Sequence, residues 1–229
     1  MPNYVSNTVT FAREDVDKVK RLVMSDDSEF DFNRIIPMPE SLKIHSGSCT
    51  FDALCLSNCA DLDRLKERYS DEGEEPDPSV FYPYARDPET MPELRVLARL
   101  IQFNQDQYGH GDWYDWACEK WGTKWNACEP YWSDNTVSFD TAWADPEPIF
   151  VQLAKLLGIT FTVECEEESL AFCSITTYSP DGKDQETAEG IAGLVLLGQD
   201  REDIIARYED WYDEKEMEEL NKELDALGL

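Results

Sequence analysis

Four of the seven tryptophans in this 229-residue chain fall within residues 111–128, which read GDWYDWACEKWGTKWNAC. An aromatic side chain buries on the order of 150 to 250 Å² when it packs, so a run of this density belongs in a core rather than in water. The tryptophans follow one another at steps of three, five and four residues, which predicts a short amphipathic helix. Asp112 is suited to cap the start of that helix, and Gly122 is suited to end it.

The net charge limits which partners the chain can have. The sequence carries 49 acidic and 20 basic side chains, a formal net charge of −29, with 41% hydrophobic residues. A chain of this length can bury a core, whereas its charge repels phosphate backbones and anionic lipid surfaces. We therefore expect no direct binding of nucleic acid or membranes. The acidity either keeps the protein soluble or forms a surface that competes with DNA for a basic partner.

Cysteine usage and hydropathy predict a reduced, cytoplasmic protein. The seven cysteines are an odd number, and no apolar signal segment follows Met1, so we expect free thiols rather than a disulfide framework. A membrane-spanning helix needs roughly 20 apolar residues. The longest apolar run, residues 191–197, is much shorter and is interpreted as part of the core.

The first 36 residues predict a β-α-β unit. Residues 3–11 are rich in β-branched and aromatic side chains, which is typical of a strand. Residues 12–24 place Val16, Val19, Leu22 and Val23 on one side and charged residues on the other, as in an amphipathic helix. Residues 30–36 are predicted to be a second strand that ends at Pro37.

Helical patterns dominate from residue 40 to residue 109. We predict one helix at residues 49–68 and a second at residues 91–107. Residues 70–78, SDEGEEPDP, have the composition of a solvated loop.

A second α/β pattern follows the tryptophan helix. It comprises a strand at residues 136–143, a helix capped by Asp145 and ended by Gly158, and paired strands at 159–166 and 170–179. This order fits an α+β protein with a ferredoxin-like antiparallel sheet, built on the split β-α-β plan. We expect that domain to span residues 1–183, with a helical insertion at about 40–130 that packs against the sheet and buries Trp113, Trp116 and Trp121.

The last 46 residues predict an acidic helical extension. Residues 184–229 contain fifteen acidic and four basic side chains, a net charge of −11. Apolar residues recur among them at helical steps, so one or two helices with an apolar stripe are expected. That stripe has two alternative docking partners, the domain itself or a second chain. The stripe consists of Ile204, Tyr208, Trp211, Tyr212, Leu220, Leu224 and Leu227.

Three stretches carry a resemblance to a known family. They are MPNYVSNTVTF at the N-terminus, DFNRIIPMPESL at residues 31–42 and DWYDWACEKWGTKWNA at residues 112–127. Together they resemble the signature stretches of the YubB-like family of plasmid and phage proteins, whose members have a ferredoxin-like domain. The resemblance spans the first 130 residues and implies an origin in a mobile genetic element. The family is largely of unknown function, so no catalytic residue is implied.

Residues that could carry chemistry are few. A zinc site would need His45 and His110 to meet Cys55 and Cys59, but cysteines four residues apart on a helix are also ordinary core residues. A nucleophilic pair of His110 and Cys118 lacks any nucleophile-elbow pattern around it. No phosphate-binding glycine loop and no iron–sulfur ligand pattern are present. We therefore predict no metal, no cofactor and no catalytic residue.

The tryptophan run has a second interpretation, as a platform on which bases stack. Stacking proteins combine aromatic side chains with a basic groove. Only Lys120 and Lys124 lie within this run, among several carboxylates. Core packing is therefore the favoured interpretation.

Two classes of function follow. In the first, the chain is a non-enzymatic interaction protein that binds a basic host protein in the cytoplasm, for instance a nucleic-acid-binding component of a defence system. The alternative is a small hydrolase or nucleotide-handling enzyme whose site the sequence does not reveal. The first class places the binding surface where acidic residues are most crowded, at Asp210, Asp213, Glu214, Glu218 and Glu219. Neither class predicts an oligomeric state.

Overall fold

The structure is a computed structural model that describes residues 3–44, 91–210 and 212–229, with side chains from residue 96 onward in the second range. Contacts divide the chain into two compact units. The first comprises Met1–Pro37 and Lys120–Leu229, and the second comprises Met38–Glu119. Five sequence features lie outside the described residues, namely the predicted helix at 49–68, the acidic loop at 70–78, His45, the pair Cys55 and Cys59, and Trp211 of the apolar stripe.

Six strands of the first unit form one antiparallel sheet. They are β1 (Tyr4–Phe11), β2 (Cys128–Ser133), β3 (Thr136–Ala142), β4 (Phe161–Glu167), β5 (Cys173–Ser179) and β6 (Gly182–Ala188). Their order across the sheet is β2-β3-β1-β4-β5-β6. The inner order β2-β3-β1-β4 is that of the predicted ferredoxin-like fold. β5 and β6 extend the sheet beyond β4 as a meander.

The described part of the chain contains seven α-helices. They are α1 (Val16–Val23), α2 (Met91–Tyr108), α3 (Trp113–Lys120), α4 (Glu147–Leu157), α5 (Gly190–Leu196), α6 (Arg201–Tyr208) and α7 (Glu214–Leu227). α1, α2, α3 and α4 confirm the helices predicted at these positions, with bounds that differ by a few residues. Together with the sheet they make the chain an α+β protein, as predicted.

The core of the first unit lies between the sheet and α4. Alternate residues of β1 are buried, as expected of a strand with one covered face. From α4, Phe150 contacts three aromatic rings of the sheet, with ring centroids 6.3 Å from Phe139, 6.2 Å from Phe161 and 5.3 Å from Tyr178. Gly158 ends α4 with a left-handed φ of 62°. Asp145 does not cap this helix as predicted, because Pro146 occupies the N-cap position.

The predicted strand at residues 30–36 is wrong. Phe32–Arg34 form a 3-10 turn instead, and the side chain of Asp31 accepts a hydrogen bond from the backbone of Asn33 at 2.9 Å. Phe30 and Phe32 are both buried in the core, which explains the strand-like alternation in the sequence. The side-chain cap at Asp31 bends the chain and keeps it out of the sheet.

β2 and β6 were absent from the prediction, and each has a weak sequence signal. β2 contains Pro130 and pairs with β3 through an irregular register, both of which are typical of an edge strand. β6 contains no large apolar side chain and is exposed along almost its whole length. The expected boundary between domain and tail, at residue 183, falls inside β6.

The tryptophan helix ends where the sequence predicted. α3 stops at Lys120, and Gly122 has a φ of 83°. Trp116 and Trp121 are buried, with 5% and 4% of their surface exposed, whereas Trp113 is only half-buried. Trp121 donates from Nε1 to the carbonyl of Ile36 at 2.9 Å. The tryptophans therefore differ in burial, although they share one short segment.

The C-terminal helices pack against each other and against the end of the sheet. α5, α6 and α7 share a hydrophobic cluster of their own, separate from the core below α4. α5 lies against β5, where a Cβ atom on Gly193 would come within 2.7 Å of the sulfur of Cys173. The tail therefore docks on its own domain through α5. The buried members of its cluster are Ile191, Leu194, Ile204, Leu220 and Leu224.

Among the described residues, no helix combines the length and the apolar character that crossing a membrane requires.

Candidate functional site

The five carboxylates predicted to bind a basic partner are all exposed. We call them the acidic face. Asp210 lies in the loop between α6 and α7, one residue after Glu209. The other four lie at or within the first turns of α7. The acidic face comprises Asp210, Asp213, Glu214, Glu218 and Glu219.

Asp213 has a structural role in addition to its charge. It is the N-cap of α7, and its Oδ1 accepts hydrogen bonds from the backbone amides of Lys215 and Glu216, each at 2.9 Å. In return, Oε2 of Glu216 accepts from the backbone amide of Asp213 at 2.8 Å. This reciprocal capping box stabilises the helix start, and both carboxylates also complement the helix dipole.

The structure brings three residues of the acidic face together. Asp213, Glu214 and Glu218, with Lys215, line a shallow depression of about 420 Å³. Glu214 and Glu218 share this side of α7 because residues four apart are neighbours on a helix. Asp210 and Glu219 do not line this depression.

Each basic side chain of the tail is already paired with a carboxylate of the same chain. The pairs of Lys215 and Lys222 join exposed residues four apart on α7, and such pairs contribute only about 0.3–0.5 kcal/mol. A cation from a partner could therefore replace them at small cost. The pairs are Arg201–Asp225 at 2.7 Å, Arg207–Glu166 at 2.6 Å, Lys222–Glu218 at 2.8 Å and Lys215–Glu219 at 3.8 Å.

The pair between Arg207 and Glu166 joins the tail to the sheet. Arg207 is on α6, and Glu166 is on β4. The hydrogen bond that Arg207 donates to Glu166 raises the pKa of the arginine, so the guanidinium remains charged. This contact, together with the packing of α5 on β5, fixes the position of the acidic face on the domain.

A groove lies on a second flank of α7. Its volume is about 290 Å³, and its lining combines apolar and acidic side chains. Helical periodicity predicted that Tyr212 belongs to the apolar stripe of the tail, and the structure leaves this residue 37% exposed at the groove. No pattern in the sequence signals the groove, because it forms only where α5, α7 and the preceding loop meet. The lining residues are Ile191, Tyr212, Glu216, Glu219, Leu220 and Glu223.

A larger polar depression, of about 650 Å³, lies between the loop after α1 and the start of β2. Burial favours the neutral form of Asp31 in its wall, but hydrogen bonds from Asn126 and Asn33 outweigh that effect and lower the pKa of Asp31. Asn126 donates to Asp31 at 2.7 Å and accepts from the backbone amide of Phe32 at 2.8 Å. The ionised carboxylate thus holds two loops together.

The part of the chain that the structure describes gives little support to the alternative of an enzymatic site. Nε2 of His110 lies 2.7 Å from Oε2 of Glu119, and Cys118 is half-buried. Within the described ranges, no group of three or more His, Cys, Asp and Glu side chains is arranged to hold a metal ion.

This chain is similar to one solved structure and, over part of its length, to one protein family. The crystal structure of a protein api92 from Yersinia pseudotuberculosis matches 83% of this chain and 98% of that chain, with 12% sequence identity and a TM-score of 0.38. No curated protein matches the sequence at a significant level. A family model described as "Ferredoxin-like domain in Api92-like protein" matches residues 120–194, which include β2 through β6. This part of the chain is therefore similar to the ferredoxin-like domain of Api92-like proteins.

Proposed function

We propose that this chain is a non-enzymatic interaction protein that binds a basic protein through its acidic face. The observation that carries the proposal is the charge balance of the docked tail. All four basic side chains of residues 184–229 are paired within the chain. Asp210 and Glu214 are exposed, and in the described part of the chain neither has a cationic partner. Such a surface attracts a basic partner and repels nucleic acid.

The resemblance of the first 130 residues to YubB-like proteins supports a more specific form of this proposal. A protein encoded by a phage or plasmid meets host proteins in the host cytoplasm. Host proteins that bind nucleic acid, including components of defence systems, carry basic surfaces. The acidic face would compete with DNA for such a surface and so act as a DNA mimic.

The polar depression between the loop after α1 and the start of β2 supports an interaction protein over a hydrolase. An acidic pocket that held a histidine with a cysteine would favour an enzyme. The depression of about 650 Å³ is lined by Asp, Glu, Asn, Ser, Ala and Pro side chains. It therefore offers carboxylates but no nucleophilic thiol or imidazole.

Charge reversal of the acidic face tests the proposal. The variant carries Asp210→Lys, Glu214→Lys and Glu218→Lys, and Asp213 is kept because it caps α7. The partner is recovered from a host lysate with the wild-type protein, eluted with salt and purified. We expect the variant to bind it at least about tenfold more weakly, with a shallower dependence of affinity on salt, because exposed charges act within about 8 Å at physiological ionic strength.

A matched control separates the acidic face from overall charge. Glu14→Lys, Asp17→Lys and Asp181→Lys change the net charge by the same amount at exposed positions outside the tail. This control should keep most of the wild-type affinity. Equal loss in both variants, or no loss in either, would show that the acidic face is not the binding surface.

A further inference from the structure

The groove on the second flank of α7 combines two chemistries that a purely solvated helix surface does not need. Its floor consists of Ile191 from α5 and Leu220 from α7, which expose 7% and 3% of their surface. Its rim carries carboxylates of α7. Because these two side chains belong to the buried cluster of the tail, most of the apolar surface that the groove offers is the ring of Tyr212, which is 37% exposed. An aromatic side chain bordered by charge is common at protein–protein contacts.

The carboxylates at the rim differ in their hydrogen-bond and ion-pair partners. Glu216 uses one oxygen to cap α7. Within the described residues, the only cationic partner of Glu219 is Lys215, at a distance of 3.8 Å. Glu223, four residues after Glu219, has no cationic partner among the described residues. Positions four apart lie about 5–6 Å from each other on a helix, so Glu219 and Glu223 form a short negative row beside the apolar floor.

Tyr212 gives the groove a fixed aromatic wall. Its ring stacks on that of Tyr208, with centroids 4.7 Å apart and an angle of 28° between the planes. Its backbone amide also donates to the carbonyl of Tyr208 at 2.9 Å. A tyrosine held in this way binds at low entropic cost, which is one reason why tyrosine is frequent at binding hot spots.

We propose that this groove binds one apolar side chain of the basic partner, at a position flanked by lysine or arginine. The inference rests on the proposed function and adds a sequence requirement for the partner. The apolar side chain would contact Ile191, Leu220 and Tyr212, and the flanking cations would pair with Glu219 and Glu223. A volume of about 290 Å³ lies at the lower limit of small-molecule pockets and suits one side chain of a peptide.

Charge complementarity selects this occupant over two others. A second copy of the chain would bring another net charge of −29 to the groove, and nucleic acid would bring phosphates. Both would be repelled by Glu219 and Glu223. A basic segment with an apolar residue can pair its cations with the carboxylates of the rim and pack its apolar side chain against the floor.

Two labelled peptides test the inference by fluorescence anisotropy. One has lysines on both sides of a central leucine, and the other has serine in place of the leucine. We expect the wild-type protein to bind the leucine peptide about tenfold more tightly, because only leucine gains from burial in the groove. Tyr212→Ala should reduce this preference and leave the affinity for the serine peptide unchanged, whereas Tyr212→Phe should keep the preference.

The charge of the rim is tested separately. Glu219→Gln with Glu223→Gln should weaken the binding of both peptides by a similar factor. The control Glu14→Gln with Asp17→Asn should leave the binding of both peptides unchanged.

Equal affinity of the wild-type protein for the two peptides would contradict the proposed role of the groove, even if both peptides bind in a salt-dependent way. That result would leave the proposed function standing. If the wild-type protein bound neither peptide, that result would also contradict the proposed role of the groove. Binding that responds neither to salt nor to acidic-face substitutions would contradict the proposed function itself.

Discussion

Glu167 is a buried carboxylate that holds the turn between β4 and β5. It is only 4% exposed. One oxygen accepts from the side chain of Asn3 at 2.7 Å, and the other accepts from the backbone amides of Ser169 at 2.8 Å and Ala171 at 3.1 Å. The hydrogen bond from the Ser169 hydroxyl, followed by those from Ala171, Asn3 and the Ser169 amide, lowers the pKa of Glu167 despite its burial. The sequence predicted only a connection between two paired strands at this position.

This environment predicts how stability depends on pH. Because folding lowers the pKa of Glu167, ionisation of this residue stabilises the protein above the unfolded value of 4.5. That contribution is lost as the pH falls through the lower folded value. Glu167→Gln should reduce the free energy of unfolding at neutral pH by about 1–3 kcal/mol, since an amide cannot accept at both positions. Urea denaturation at several pH values should show the difference from wild type shrinking below about pH 4. A difference that stays constant down to acid would contradict the assignment.

Among the strands and helices, the sequence correctly predicted those in which the spacing of buried residues has the period of the strand or helix. β1, β3, β4 and α4 each have one covered face, so their apolar periodicity follows from their structure. Residues 30–36 have the alternation of a strand, but the side chain of Asp31 caps a turn there. β6 has no periodicity because both of its faces are exposed. Prediction from the local hydrophobic pattern therefore failed where side-chain capping set the backbone conformation, and where a strand lies at an exposed edge of the sheet.

The start of α7 allows the structural role of Asp213 to be separated from its charge. Asp213→Ala removes the cap and should cost about 0.5–2 kcal/mol of stability. Asp213→Asn keeps an acceptor for the amides of Lys215 and Glu216, so it should cost less although it removes the same charge. Urea denaturation of both variants measures the difference. Equal destabilisation would show that charge at the helix terminus, and not the hydrogen bonds, provides the stabilisation.

At the scale of the whole molecule, the candidate surface was predictable only in part. The density of acidic residues in the tail identified the acidic face, because charge is visible in the sequence. The groove was not visible, since its floor requires Ile191 of α5 to meet Leu220 of α7 beside Tyr212. A surface built from elements that are distant in the chain depends on how the tail docks, and the apolar stripe is compatible with docking either on the domain or on a second chain.

The net charge of −29 also predicts how stability responds to salt. Like charges repel one another in the folded state, and the unfolded chain relieves that repulsion by expanding. Added sodium chloride shortens the range of the repulsion, so the midpoint of thermal unfolding should rise with salt. A gain of about 1 kcal/mol corresponds to about 2–4 °C for a protein of this size.

The triple variant Asp210→Lys, Glu214→Lys and Glu218→Lys provides the comparison for this effect. Each reversal adds two positive charges, so the net charge changes from −29 to −23. The informative quantity is the slope of the unfolding midpoint against the logarithm of salt concentration, because the absolute midpoint also reflects the lost Glu218–Lys222 pair. That slope should be smaller in the variant, since fewer carboxylates remain to be screened. Equal slopes, or a midpoint that falls with salt in the wild-type protein, would show that stabilising ion pairs outweigh repulsion and that the acidic surface imposes no cost on folding.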